Sequence, residues 1–209
     1  MTARNHLIAG LAAGAAVALA SAAFAAGTTP APAQPPLTFG PPIAGFCTFS
    51  FQQIMGTSKV GQAVLTRLKQ LDAAWQAELQ PQVTSFNTDK QAFDAQAASM
   101  DAATREARGA ALQLRYANLQ KLAAQRQQEM EATQNKQFGV VEAQVEPVIR
   151  QLFQAHACSV LIQREQAGIG FVNPAMDLSA GAVQGLDAKI QTLTFDREHL
   201  EPGAQPGAQ

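Results

Sequence analysis

Apolar positions along this chain change character three times. From Leu7 to Ala20 they run unbroken and uncharged behind Arg4. Ala23-Phe24-Ala25 then places small residues where a signal peptidase reads, so the stretch is expected to be an export signal cleaved after Ala25. A retained membrane anchor is the rival reading, but the Ala and Gly content leaves the run weakly hydrophobic. The next apolar run, Ile43 to Phe49, sits behind Pro41-Pro42 and predicts a strand, with Ile43, Cys47 and Phe49 on one face and Phe46 on the other. Ser159 to Gln163 and Ile169 to Val172 predict two further strands, joined by a tight turn at Gln166-Ala167-Gly168. Ser179 is placed to cap a short helix carrying Val183, Leu186, Ile190 and Leu193.

Between these ends the apolar period lengthens. Leu65, Leu79, Phe86, Phe93 and Met100 recur every seventh residue, with Asp72 the single miss, and Leu68 and Trp75 add a companion seam. The pattern resumes at Leu112, Tyr116, Leu119, Leu122 and Met130, and closes with Val141, Val145, Val148 and Leu152. A break between Ser99 and Gly109, where Ser99 or Asp101 can cap a new helix, folds the stretch into an antiparallel hairpin. Arms of ~40–50 residues are roughly 60–75 Å long at 1.5 Å per residue. Pro81 and Pro147 fall inside the arms, where each removes a backbone donor and is expected to kink its helix. Such kinks serve equally as hinges or as tolerated bends.

Composition narrows the class. With 47% hydrophobic residues but one Trp and one Tyr, a large β-sandwich core is excluded and long, thinly packed helices are favoured. A formal net charge of -1 excludes the basic stripe of a nucleic-acid binder. Six prolines between Ala26 and Pro42 make that segment an extended tether, and the repetitive tail 201–209 is expected to fray. The expected organisation is therefore a signal peptide over 1–25, a tether over 26–42 and one domain over 43–200. Within that domain the body takes 43–57 and 158–195, and the arms about 58–157. No stable membrane insertion is expected once the signal is removed.

Candidate chemistry is sparse. His156 and His199 have no ligand partners at metal spacing, so no metal and no cofactor are expected. Asp89 with Asp94, and Glu129 with Glu131, read as solvated helix face rather than acid–base pairs. Gly168-x-Gly170 lacks the third glycine and following helix of a phosphate loop. The chain reads as a non-enzyme.

Several local motifs, taken in order, resemble one family. Gln53-Ile54-Met55, then Ser58-Lys59-x-Gly61 with Ala63, match a short helix and a turn into a first arm. Ser159 to Glu165, Val172-Asn-Pro174 and Asp177-Leu-Ser179 match the returning strands and a final helix cap. Together with the signal and the helical hairpin, these resemble the OmpH/Skp-like periplasmic chaperones over about Ile43 to Leu193. The resemblance implies an α+β fold in which strands of three chains form a small β-barrel body. One long antiparallel coiled-coil hairpin per chain then protrudes around a cavity. It also implies a periplasmic homotrimer that holds unfolded outer-membrane proteins without nucleotide. Near-neutral charge, where the best-known members are strongly basic, argues against capture of lipopolysaccharide by charge. A structural coiled-coil adaptor of the cell envelope is the alternative function.

Two sets of site residues follow. Trp75, Leu79, Phe86, Phe93, Met100, Tyr116 and Met130 are the candidate client contacts on the arms, while the body is expected to keep no concave pocket of its own. Arms that leave the end of strand one and return at the start of strand two bring Cys47 and Cys158 to the arm roots in an oxidising compartment. A Cys47–Cys158 disulfide is expected, with two free thiols or an inter-subunit bond as alternatives.

Overall fold

Two arms of unequal length dominate the computed structural model, which describes residues 37–201. The export signal, most of the proline-rich tether and the tail from Pro202 lie outside the described residues. The chain divides between Thr38 and Phe39, and the elements below all belong to the second part. They run in the order β1 (Phe46–Phe49), α1 (Phe51–Thr57), α2 (Lys59–Gln96), α3 (Ala102–Ala155), β2 (Val160–Gln163), α4 (Arg164–Ala167) and α5 (Ser179–Lys189). A 3₁₀ turn at Pro174–Met176 precedes α5.

α2 and α3 are the hairpin arms. Their 38 and 54 residues correspond to roughly 57 and 81 Å. The connection is short, and Asp101 caps α3 by accepting a hydrogen bond from the Thr104 amide at 2.9 Å. The caps at the other end explain the Ser-Lys-x-Gly motif. Ser58 Oγ accepts from the Gly61 amide at 3.1 Å, while Asp187 of α5 accepts from the Lys59 amide at 2.7 Å. Gly61 is required by contact: a Cβ there would lie 2.2 Å from the Met55 carbonyl oxygen. Both Pro81 and Pro147 lie within helices that continue past them.

β1 and β2 pair in parallel, Phe46 opposite Val160 through Phe49 opposite Gln163. A parallel pair needs a crossover connection; here the crossover is the entire hairpin. The strand pattern departs from the sequence reading in three ways. β1 is shorter than expected because Gly45, at φ +73, turns the chain: the Phe46 amide bonds back to the Ile43 carbonyl, and Ile43 is 63% exposed. Cys47 and Thr48 are both buried, so the strand is covered on both faces rather than alternating.

Ile169 to Val172 forms no strand. Gly168 does take positive φ, but as the C-cap of the helical turn α4, with the Ile169 amide bonding back to the Arg164 carbonyl. That closure spends the turn on a helix end instead of a hairpin; the other side of β1 is bridged by Asp177 at Thr48. Ser179 is likewise the first residue of α5 rather than its cap. Asp177 Oδ1 accepts from the Ser179 amide, and Ser179 Oγ accepts from the Ser50 amide. Since α5 ends at Lys189, Leu193 lies past the helix and still packs on the core.

That core joins the arm roots to the body. Ile54 and Met55 of α1, Val60, Val64 and Leu68 of α2, Val141, Val145 and Ile149 of α3, and Ala182 and Leu186 of α5 form one buried cluster. Cys47 and Cys158 belong to it and are bonded, with their Cα atoms 5.8 Å apart.

Candidate functional site

The arms carry the candidate site. Leu65, Leu79, Phe86, Phe93 and Met100 are all half-buried, which fits a narrow seam between two helices with solvent at its edges. Trp75 Nε1 donates to Asp72 at 2.8 Å, so the one polar residue in the repeat serves as an acceptor for the tryptophan. Farther out, Phe86 stacks on Tyr116 with ring centroids 5.7 Å apart. Tyr116 nevertheless stays 51% exposed.

The seven expected contacts do not form one surface. Trp75 and Met130 line an open cleft of about 590 Å³ next to Leu68, whereas Phe86, Phe93 and Tyr116 line a second of about 470 Å³ together with Leu112 and Gly109. A Cβ at Gly109 would sit 3.7 Å from the Phe93 ring, so the glycine widens that second cleft. Leu79 and Met100 line neither. The body is also less closed than expected. Phe49 and Leu161 of the sheet with Val145 and Ile149 of α3 border a groove of about 430 Å³.

Charged groups on the hairpin are mostly paired at the surface: Asp89 with Arg115, and Asp94 with Lys90. Glu129 is the exception and corrects the reading of a solvated carboxylate. It is 1% exposed, hydrogen-bonded by Arg126 at 2.7 Å and Gln125 at 3.1 Å, and ion-paired with Arg197 at 3.1 Å. Burial pushes its pKa up, but the hydrogen bonds from Arg126 and Gln125 and the charges of Arg126 and Arg197 outweigh that and hold it below 4.5. Glu165, at the body, is also lowered: burial is opposed by hydrogen bonds from the Ser50 hydroxyl and nearby backbone amides.

Among the described residues no cluster of His, Cys, Asp and Glu could hold a metal ion, and no helix is long and apolar enough to cross a membrane. His156 ends α3 and His199 lies in the C-terminal segment, both exposed.

Comparison with known proteins agrees with this architecture. The family described as outer membrane protein (OmpH-like) matches residues 45–186. The crystal structure of a candidate outer-membrane chaperone (OmpH-like) from Caulobacter crescentus CB15 is 38% identical, with a TM-score of 0.66. The match covers 80% of this chain and 98% of that one. No curated protein matches the chain.

Proposed function

The chain belongs to the OmpH-like family, and from that premise we propose that it is an ATP-independent periplasmic holdase that keeps unfolded outer-membrane proteins from aggregating. One observation carries this reading: the large soft side chains of a long, thin hairpin border open clefts instead of a closed pocket. Open apolar surface with weak, dispersed contacts suits a fluctuating chain that offers no fixed shape to a lock-and-key site. Three copies, their strands pooled in one barrel, would set three hairpins around a client. An amino-terminal signal cleaved after Ala25 would deliver the chain to the periplasm.

The decisive experiment dilutes a urea-unfolded porin into buffer with the mature protein and follows light scattering. Suppressed aggregation, with no binding of the folded porin, is the expected result. Truncating any one of Trp75, Phe86, Phe93, Met100, Tyr116 or Met130 to Ala should weaken client binding by less than ~1 kcal/mol, below the usual hot-spot threshold. Deleting residues 76–125 should abolish holding while leaving the oligomer intact. A deletion variant that still keeps the porin soluble would refute the arm-based reading.

A further inference from the structure

Past α5 the chain leaves the body and lies along the arms. Ile190 is extended, at φ -146 and ψ 135, and Leu193 and Phe195 pack on the edge of the core. Arg67 of α2 then donates to the Phe195 carbonyl at 3.1 Å and pairs with Asp196 at 2.8 Å. Most of the remaining partners come from α3, with Glu78 of α2 also facing Arg197 at 4.0 Å. Arg197 reaches buried Glu129, the Glu198 amide donates to Thr133 Oγ1 at 2.9 Å, and Lys136 pairs with Glu198 at 2.8 Å. Gln125 donates to the Leu200 carbonyl at 3.5 Å. Between Glu198 and Leu200 the segment passes from Thr133 to Gln125, about 12 Å of helix, which needs a nearly extended chain even with the reach of glutamine.

The character of these contacts is informative. Arg67, Thr133 and Gln125 each take a main-chain group of the segment, so those bonds would form with almost any sequence. Side-chain selectivity comes from apolar residues at alternate positions, Leu193 and Phe195, from a cation placed on Glu129, and from the more exposed ion pairs of Asp196 with Arg67 and Glu198 with Lys136. Alternating apolar and polar residues are the pattern of an outer-membrane β-strand. The segment also lies beyond residues 45–186, the part matched by the family.

We propose that the hairpin face formed by Arg67, Gln125, Glu129 and Thr133 is a binding site for extended, unstructured peptide. Residues 193–200 occupy it in cis, and a client segment with alternating apolar residues and a basic side chain exchanges with them. The inference rests on the holdase reading, to which it adds a place and a ligand class; one such site does not by itself keep a whole porin in solution.

The test uses a fluorescent peptide with the sequence of residues 190–201, the mature full chain, and a variant ending at Ile190. The peptide should bind the shortened chain about tenfold more tightly than the full chain, and unfolded porin should displace it. A peptide carrying Arg197→Glu should bind about fivefold more weakly; the protein is untouched in that arm, so a folding defect cannot mimic the effect. A full-length Phe195→Ser/Arg197→Glu variant, which loosens the strap without shortening the chain, should gain peptide binding in the same way. Equal binding, or none, to full and strap-released chains overturns the inference. If the full chain meanwhile suppresses porin aggregation, the holdase reading stands. If it does not, that reading fails whatever the peptide does.

Discussion

Glu129 displays what a single residue can hide from its sequence. On a Gln-rich helix it has the spacing of a surface carboxylate, and nothing local predicts its burial; the cover comes from Arg197, far along the chain. Gly61 is legible in part: its Ser-Lys-x-Gly motif marked the turn into the first arm, and the structure adds the close approach to Met55 that requires a glycine there. The buried carboxylate has a pH signature. Its folded pKa lies below 4.5, so its stabilising contribution is complete above that value and is lost as pH falls through the folded pKa. Glu129→Gln should cost about 2 kcal/mol at pH 7, less than for a fully enclosed pair because Arg126 and Arg197 keep some solvent contact. The gap between the wild type and this variant should close at acid pH. Urea unfolding at pH 7 and at pH 3.5 measures it, and the comparison removes the parallel contribution of Glu165. A gap that widened on acidification would contradict the assigned shift.

At the scale of elements, long-period signals were the legible ones. The heptad seam and Asp101, one of two candidate caps, follow from residue spacing and local hydrogen-bonding chemistry, while the break, expected over Ser99 to Gly109, falls at 97–101 and leaves Gly109 inside α3. Short apolar runs were legible only in part: two of the three contain β1 and β2, but so few residues carry too little periodicity to separate a strand from a covered coil every time. Ile169 to Val172 has the apolar character of a strand, but the chain before it closes a helical turn at Gly168, and among the described residues no strand takes the expected place beside β2. The element that ties the rest together is the bond between Cys47 and Cys158, 111 residues apart. Closing a loop of that length removes unfolded-state freedom worth about 4–5 kcal/mol in the chain-entropy model, less any native strain. Guanidinium unfolding with and without reductant should show a loss approaching that size. Thiol labelling of the unreduced, denatured chain should find no reactive cysteine; two per chain would refute the bond.

For the whole molecule, the body is the part that looks incomplete. Two four-residue strands form its sheet, and a sheet that small is marginal without further strands or cover. β1 is protected between β2 and the Asp177 bridge, but among the described residues no strand pairs with the outer edge of β2. Val160 on that edge is 48% exposed, and Phe171 in the following loop is 75% exposed. An open edge beside large apolar side chains invites pairing with another chain, and uncontrolled pairing of that kind leads to aggregation. Closure into a ring of copies satisfies the edge and covers the apolar groups at once, whereas an open head-to-tail contact would grow into a filament. Edge closure leaves the copy number open; the family resemblance supplies it, and a trimer is expected, with multi-angle light scattering giving about three times the mass of the processed chain at micromolar concentration. Placing a charge at the edge, as in Val160→Lys, should split the oligomer while leaving the Cys47–Cys158 bond and the helical signal in place. A monomer mass for the unmodified protein would rule out the barrel and, with it, a cavity shared by three hairpins.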